Sequence, residues 1–174
     1  MDIVTEVDAD FFTRNGVEKG VMTLVDEKRQ HELMTFIETG KSKMSCGGSA
    51  GNTVIAVSQF GGKSFYSCLV AKDELGRFFL MDMARNGVNT NLKPELCPEG
   101  HSGRCLVMTS PDADRTMNTF LGISSMLAPE HLDSASIQQS KYIYLEGYLV
   151  ASPRELKPCL RQKRLLKRQT QKFR

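Results

Sequence analysis

Segments with strand character and segments with helix character succeed one another along most of the chain, and this alternation narrows the fold more than any other feature. Residues 2–7 (DIVTEV), 20–25 (GVMTLV), 42–46, 64–70 and 141–146 (KYIYLE) read as strands. Between them run helical patterns. Asp8 can cap a short helix that Gly16 stops, and Asp26 can cap a longer one with Leu33, Met34, Phe36 and Ile37 on one side, closing at Gly40. A buried helix is expected over 49–60, a further helix from Asp73 to Asn86 stopped by Gly87, a loop through 88–104, and a helix over 129–140. The order predicts an α/β fold.

Residues 105–120 depart from that rhythm. CLVMTS and RTMNTF flank Pro111-Asp112-Ala113-Asp114, a strand–turn–strand pattern with Pro and Asp where a turn needs them. A hairpin inside an alternating chain marks an insertion or a flap.

At 174 residues, 40% hydrophobic and 25% charged, the chain has the size and composition of one globular domain. No apolar run approaches the ~18 residues that span a bilayer, and no signal-peptide pattern opens the sequence, so a cytoplasmic location without membrane contact is expected. Five cysteines without a CxxC fit reduced thiols better than a disulfide framework. Cys97-x3-His101-x3-Cys105 is the one spacing with metal-ligand character. It lacks a fourth ligand nearby and reads as a loop leading into a strand.

The net charge of +3 conceals a division. Residues 157–174 hold eight basic side chains and no acid, while the other 15 bases face all 20 acids. Just before this segment, Ser152-Pro153-Arg154-Glu155 writes a helix N-terminus, and Pro158 then breaks the second turn at a cost of ~3 kcal/mol. The composition changes at the same place. Residues 157–174 are therefore read as a basic tail, out of frame or disordered. A tail of this charge could contact nucleic acid, but no aromatic platform accompanies it except Phe173, and specific nucleic-acid binding is not the favoured reading.

Two glycine clusters remain. Gly61-Gly62-Lys63-Ser64 ends a helix and precedes a strand, and Val57 stands where a P-loop needs its first glycine, so it reads as a helix C-cap. Cys46-Gly47-Gly48-Ser49-Ala50-Gly51-Asn52 has the opposite arrangement, a strand feeding two glycines that open a helix. Backbone there can approach a polar ligand, and Asn52 presents an amide in the first turn; tight helix packing is the alternative use of such small residues.

Gly47-Gly48-Ser49-Ala50-Gly51-Asn52, Gly61-Gly62 and Asp73-Glu74-Leu75-Gly76-Arg77-Phe78 resemble the first signature region of the PfkB carbohydrate and nucleoside kinases, the ribokinase family. Met1-Asp2-Ile3, Met22-Thr23-Leu24, Gly103-Arg104-Cys105, Arg115-Thr116-Met117-Asn118 and Leu145-Glu146-Gly147-Tyr148 extend the resemblance over residues 1–156, in the flavour of the bacterial adenosine-kinase-like branch. The resemblance implies a ribokinase-like, Rossmann-type α/β core with a small β-strand lid built from the strands near 2–7, 20–25, 42–46 and 105–120. It implies a sugar or nucleoside substrate, and a homodimer through the lid strands as in some relatives. Asp2 matches the family aspartate that accepts sugar hydroxyls, Gly47 and Gly48 the glycines against the sugar, Asn52 an asparagine on another hydroxyl, and Glu146 a sugar-contacting glutamate. Cys105 and Tyr148 would face the substrate. Two positions depart from the family pattern: Ala71 stands where glycine is usual after the 64–70 strand, and Val54 replaces a small residue on the first-signature helix.

Full-length members use ATP and Mg2+. Their D-T-x-G-A-G-D motif, whose aspartate is the general base, occurs nowhere in these 174 residues, and Asn15-x-x-Glu18 matches the N-x-x-E element only in letters. The chain therefore reads as the front half of such a kinase, its C-terminal half missing and its first strand shortened. It is expected to bind neither ATP nor Mg2+ tightly and not to turn over alone. The competing reading is a non-catalytic binding protein with a basic tail.

Overall fold

The structure, a computed structural model, describes residues 1–37 and 42–146. In chain order its elements are β1 (Asp2–Glu6), α1 (Phe11–Arg14), β2 (Met22–Leu24), α2 (Glu27–Thr35), β3 (Lys43–Ser45), α3 (Ser49–Gln59), β4 (Ser64–Tyr66), α4 (Glu74–Arg85), β5 (Val88–Thr90), β6 (Arg104–Thr109), β7 (Arg115–Phe120) and α5 (Ser134–Gln139). Short 3-10 turns at Pro94–Leu96, Gly122–Met126 and Pro129–His131 complete the set.

The fold is mixed α/β, with two sheets. Five strands form the larger one in the order β2-β7-β6-β1-β3. The expected hairpin is its middle: β6 and β7 pair antiparallel from Arg104↔Phe120 to Thr109↔Arg115. Ala113 takes the left-handed turn position at φ 64°. β1 runs parallel to β6 and antiparallel to β3, and β2 runs parallel to β7.

One face of this sheet is covered and the other is largely open. Ile3, Leu106 and Met108 point toward α1 and α2, where they bury Phe11, Phe12 and Leu33. Each such side chain removed from water contributes about 1.5–3 kcal/mol. Asp26 starts α2 as its sequence position predicts, its carboxylate accepting the Arg29 amide at 2.7 Å. On the other face Val4, Met22 and Leu24 remain exposed.

A second core lies among α3, α4 and the parallel pair β4–β5, built on Cys46, Cys68, Val70, Phe79, Leu80, Met83 and Val88. Asp73 caps α4 by accepting the Gly76 amide at 2.7 Å. Its two oxygens also take the Ser102 amide at 2.7 Å and the Ser102 hydroxyl at 2.6 Å, and Ser102 Oγ in turn accepts the Ala71 amide at 2.9 Å. This knot ties the start of α4 to the segment that becomes β6.

The structure corrects several sequence expectations. Residues 141–146 form no strand, because among the described residues none pairs with them. The expected loop over 88–104 contains β5, and the strand over 64–70 pairs only from Ser64 to Tyr66. Asp10 occupies the cap position of α1, while the Asp8 carboxylate pairs with Arg14 at 2.8 Å. The helix over 49–60 is only half-buried, with Gly51 its one buried residue. Gly40 and the Ser152–Pro158 segment lie outside the described residues.

Candidate functional site

Register places the sequence-predicted residues. Asp2 is opposite Ser45 on one side and Cys105 on the other, Cys105 is opposite Thr119, and Thr119 is opposite Leu24. Residues facing one another across a sheet share a face. The row Ser45-Asp2-Cys105-Thr119-Leu24 therefore crosses the sheet on its open side.

At the end of β3 the chain passes Cys46 and turns through Gly47 and Gly48 into α3. A Cβ on Gly47 would overlap the Asp2 carboxyl, so the absent side chain is what admits that carboxyl. Gly48 meets nothing within 4 Å but holds φ 86° and ψ 141°, a conformation open only to glycine. The Cys46 amide donates to Asp82 Oδ2 at 3.2 Å, fixing the approach to the turn.

Burial raises the pKa of Asp2, with the terminal ammonium pulling the other way. Burial raises Cys105 as well; the Thr119 hydroxyl, which donates to its sulfur at 3.3 Å, opposes this, and the Asp2 charge adds to it. Cys105 is thus a neutral, weakly polar neighbour of the carboxylate rather than a nucleophile.

Asn52 lies in the first turn of α3. Its amide N–H closes the helix onto the Gly48 carbonyl at 2.9 Å, and its exposed side chain has no partner among the described residues. Glu146 reaches the same helix end. The Ser49 hydroxyl and then the Tyr144 hydroxyl, the latter at 2.7 Å, hold its carboxyl below the usual value against a smaller effect of burial. The positive end of α3 favours that charge too.

Asp2, Cys105, Gly47 and Gly48 thus meet where β1, β6 and the β3–α3 turn converge, and Glu146 and Asn52 flank the start of α3. Tyr148 and the basic segment 157–174 lie outside the described residues. Ser45, Ser49, Thr119 and Tyr144 were not singled out from sequence. Strand register would have found Ser45 and Thr119; nothing local marks the other two.

The chemistry of this donor set suits hydroxyls: carboxylates accept, and an amide both donates and accepts. It does not suit a phosphate, because the Asp2 carboxyl already fills the concavity at Gly47. Among the described residues no group of three His, Cys, Asp or Glu able to hold a metal is present. A cleft of about 260 Å³ lined by Ala71, Lys72, Asp73, Arg77, Pro94, Glu95 and Cys97 shares no residue with the row, and Asp73 brings a negative charge there too. No helix among the described residues is long and apolar enough to cross a membrane.

The fold matches that of adenosine kinase from Sinorhizobium meliloti with a TM-score of 0.84 and 34% identity, over 94% of this chain and 49% of that one. A probable sugar kinase from Rhizobium etli CFN 42 matches at 0.84 and 33%, over 96% and 50%. Among curated proteins, the uncharacterized sugar kinase YegV of Escherichia coli (strain K12) is 25% identical over 117 residues, 67% of this chain and 36% of that protein. The chain thus spans about half of those two solved structures and little more than a third of that curated relative. Residues 21–172 match the pfkB family carbohydrate kinases, across residue 157 where the basic segment begins. The chain belongs to the pfkB carbohydrate kinase family.

Proposed function

We propose that this chain carries the acceptor-binding part of an ATP-dependent kinase, holding a sugar or the sugar portion of a nucleoside by its hydroxyls. The observation that carries the reading is the Asp2 carboxyl seated against Gly47, beside Cys105 and at the mouth of α3. A carboxylate half-withdrawn from water makes stronger hydrogen bonds to hydroxyls than one in bulk solvent. Asp2 and Glu146 act as acceptors, Asn52 serves either sense, and the backbone at Gly47 and Gly48 lets the ligand approach closely. The open face of the sheet, with Cys105 and Thr119, lies over the bound sugar as a lid.

Kinases of this family transfer the γ-phosphoryl group of ATP, usually with Mg2+. The family's general-base motif is absent from these 174 residues. On this reading the 174-residue chain binds the acceptor and does not phosphorylate it by itself.

Calorimetry with adenosine, ribose and fructose tests the proposal. The unmodified chain should bind at least one of them, with affinity reduced in Asp2→Ala and Asn52→Ala. Identical behaviour of all three proteins toward every ligand would remove the site, and phosphorylated product from the isolated chain with ATP would remove the non-catalytic reading.

A further inference from the structure

Glu146 is half-buried at the opening of α3, and no Lys or Arg among the described residues forms an ion pair with it. Its contacts are hydroxyls. Tyr144 Oη donates to Oε1 at 2.7 Å. The Ser49 hydroxyl, on the first residue of α3, is close enough to the same carboxylate to lower its pKa. The Ser49 and Thr53 hydroxyls lower the pKa of the Tyr144 phenol against the Glu146 charge, and Thr53 Oγ1 donates to the Ser49 carbonyl at 2.9 Å. Tyr66 on β4 is the other titratable group that senses the Glu146 charge.

A glutamate side chain released from such contacts samples several rotamers, and a ligand must then remove that freedom on binding, at about 0.5–1.5 kcal/mol per side chain. Here the neutral Tyr144 phenol holds the carboxylate, with the Ser49 hydroxyl nearby, without cancelling its charge. A carboxylate offers about four lone-pair positions. Tyr144 takes one, and others remain for a ligand at the α3 N-terminus.

We propose that Tyr144 and Ser49 are positioning residues that hold the Glu146 carboxylate beside the start of α3, aligned to accept a hydrogen bond from a hydroxyl of the acceptor. The inference rests on the acceptor-site reading above. Neither residue touches the acceptor; both act through Glu146.

The test uses the intact 174-residue chain, with ribose and adenosine as probes and carbon-detected NMR of the Glu146 carboxyl. Tyr144 is exposed and Phe keeps its ring, so Tyr144→Phe leaves the fold in place; Ser49→Ala is the second variant. Either substitution should move the Glu146 titration midpoint up toward the ordinary carboxylate value and weaken binding of the probe about three- to tenfold, the cost of re-ordering one freed side chain on binding. Added to Glu146→Gln, neither should weaken binding further. An unmoved midpoint, or a moved midpoint with unchanged affinity, overturns the assignment. If the unmodified chain binds and Asp2→Ala weakens it while Tyr144→Phe and Ser49→Ala do not, only the positioning role fails. If the unmodified chain binds neither probe, the acceptor site itself is wrong, and the role of Tyr144 with it.

Discussion

The Asp2 carboxyl occupies the space that a side chain at Gly47 would need, so the first strand and the β3–α3 turn are joined by the absence of one carbon atom. The two glycines of this turn are constrained for different reasons. Gly47 is fixed by what lies opposite it, and Gly48 by its own backbone at φ 86°.

That difference gives a double-mutant test. Gly47→Ala should cost about 1–3 kcal/mol through overpacking, and Gly48→Ala about 1–3 kcal/mol through backbone strain. Asp2→Ala removes the atoms that Gly47→Ala would strike, so it should recover most of the first loss and none of the second. Urea denaturation of the six proteins, the unmodified chain, the three single variants and the two doubles, measures both. Equal recovery in the two backgrounds contradicts the packing described here.

The Asp73–Ser102 knot predicts an acid-sensitive component of stability. Burial pushes the Asp73 pKa up, but the hydroxyl and amide of Ser102 and the amide of Gly76 together outweigh it and hold the group below its ordinary 3.8. A depressed folded-state pKa contributes stability that is complete above the unfolded value and disappears as pH falls through the folded one. Loss should therefore begin near pH 4 and continue below it. Ser102→Ala should flatten this part of the acid unfolding curve, and at neutral pH should cost about 1–3 kcal/mol by leaving the buried Ala71 amide without its acceptor. An acid profile unchanged in Ser102→Ala removes the knot as the source.

Part of this architecture was legible in the sequence. Asp26 and Asp73 announce their helices because a capping carboxylate is a local device, satisfied three residues on. The 105–120 hairpin was equally local. β5 was missed because Val88-Asn89-Thr90 is too short for alternation to register, and it is a strand only because β4 lies beside it. Residues 141–146 failed in the opposite sense: Tyr142, Ile143 and Tyr144 have strand propensity, but propensity follows the neighbours a segment packs against. The Asp2–Gly47 contact spans the full length of the intervening α1, α2 and β3, and family resemblance alone pointed to it. Ser49 was invisible for a similar reason, since Glu146 is brought beside it only by the fold; Tyr144, two residues from Glu146, carries no local signal that marks it as a donor.

Cys68 predicts an alkaline limit. Burial, with a smaller contribution from the neighbouring Cys97, pushes its thiol from the ordinary 9.0 up to about 12. Here the neutral form is favoured in the folded state, so stability is complete below pH 9, where the unfolded thiol begins to ionise, and falls between 9 and about 12. One such group contributes a slope of about 1.4 kcal/mol per pH unit in that window. Denaturation at pH 8, 9.5 and 10.5 should show the decline, and Cys68→Ala should be less stable at pH 8 but less pH-dependent above 9. The native thiol should also react slowly with iodoacetamide until the chain unfolds. Rapid labelling of Cys68 at pH 8 in the folded protein contradicts its burial.

Gln30 offers a stabilising substitution. It is fully buried on α2, against the covered face of the sheet, and among the described residues neither Oε1 nor Nε2 has a partner; Asn118 Oδ1 on β7 is likewise unsatisfied. A buried polar group left without a hydrogen bond costs about 1–3 kcal/mol, and replacing it by an apolar group of similar shape removes that cost. Gln30→Met keeps length and flexibility, and should raise stability by about 1–3 kcal/mol, or roughly 2–4 °C in Tm for each kcal/mol. Gln30→Ala should not, because the cavity beside Leu33 and the sheet adds its own penalty. Thermal and urea unfolding of the two variants decide the matter. If Gln30→Met is destabilised as much as Gln30→Ala, the amide is satisfied in solution by a buried water shared with Asn118, and the polar pair is part of the packing rather than a defect in it.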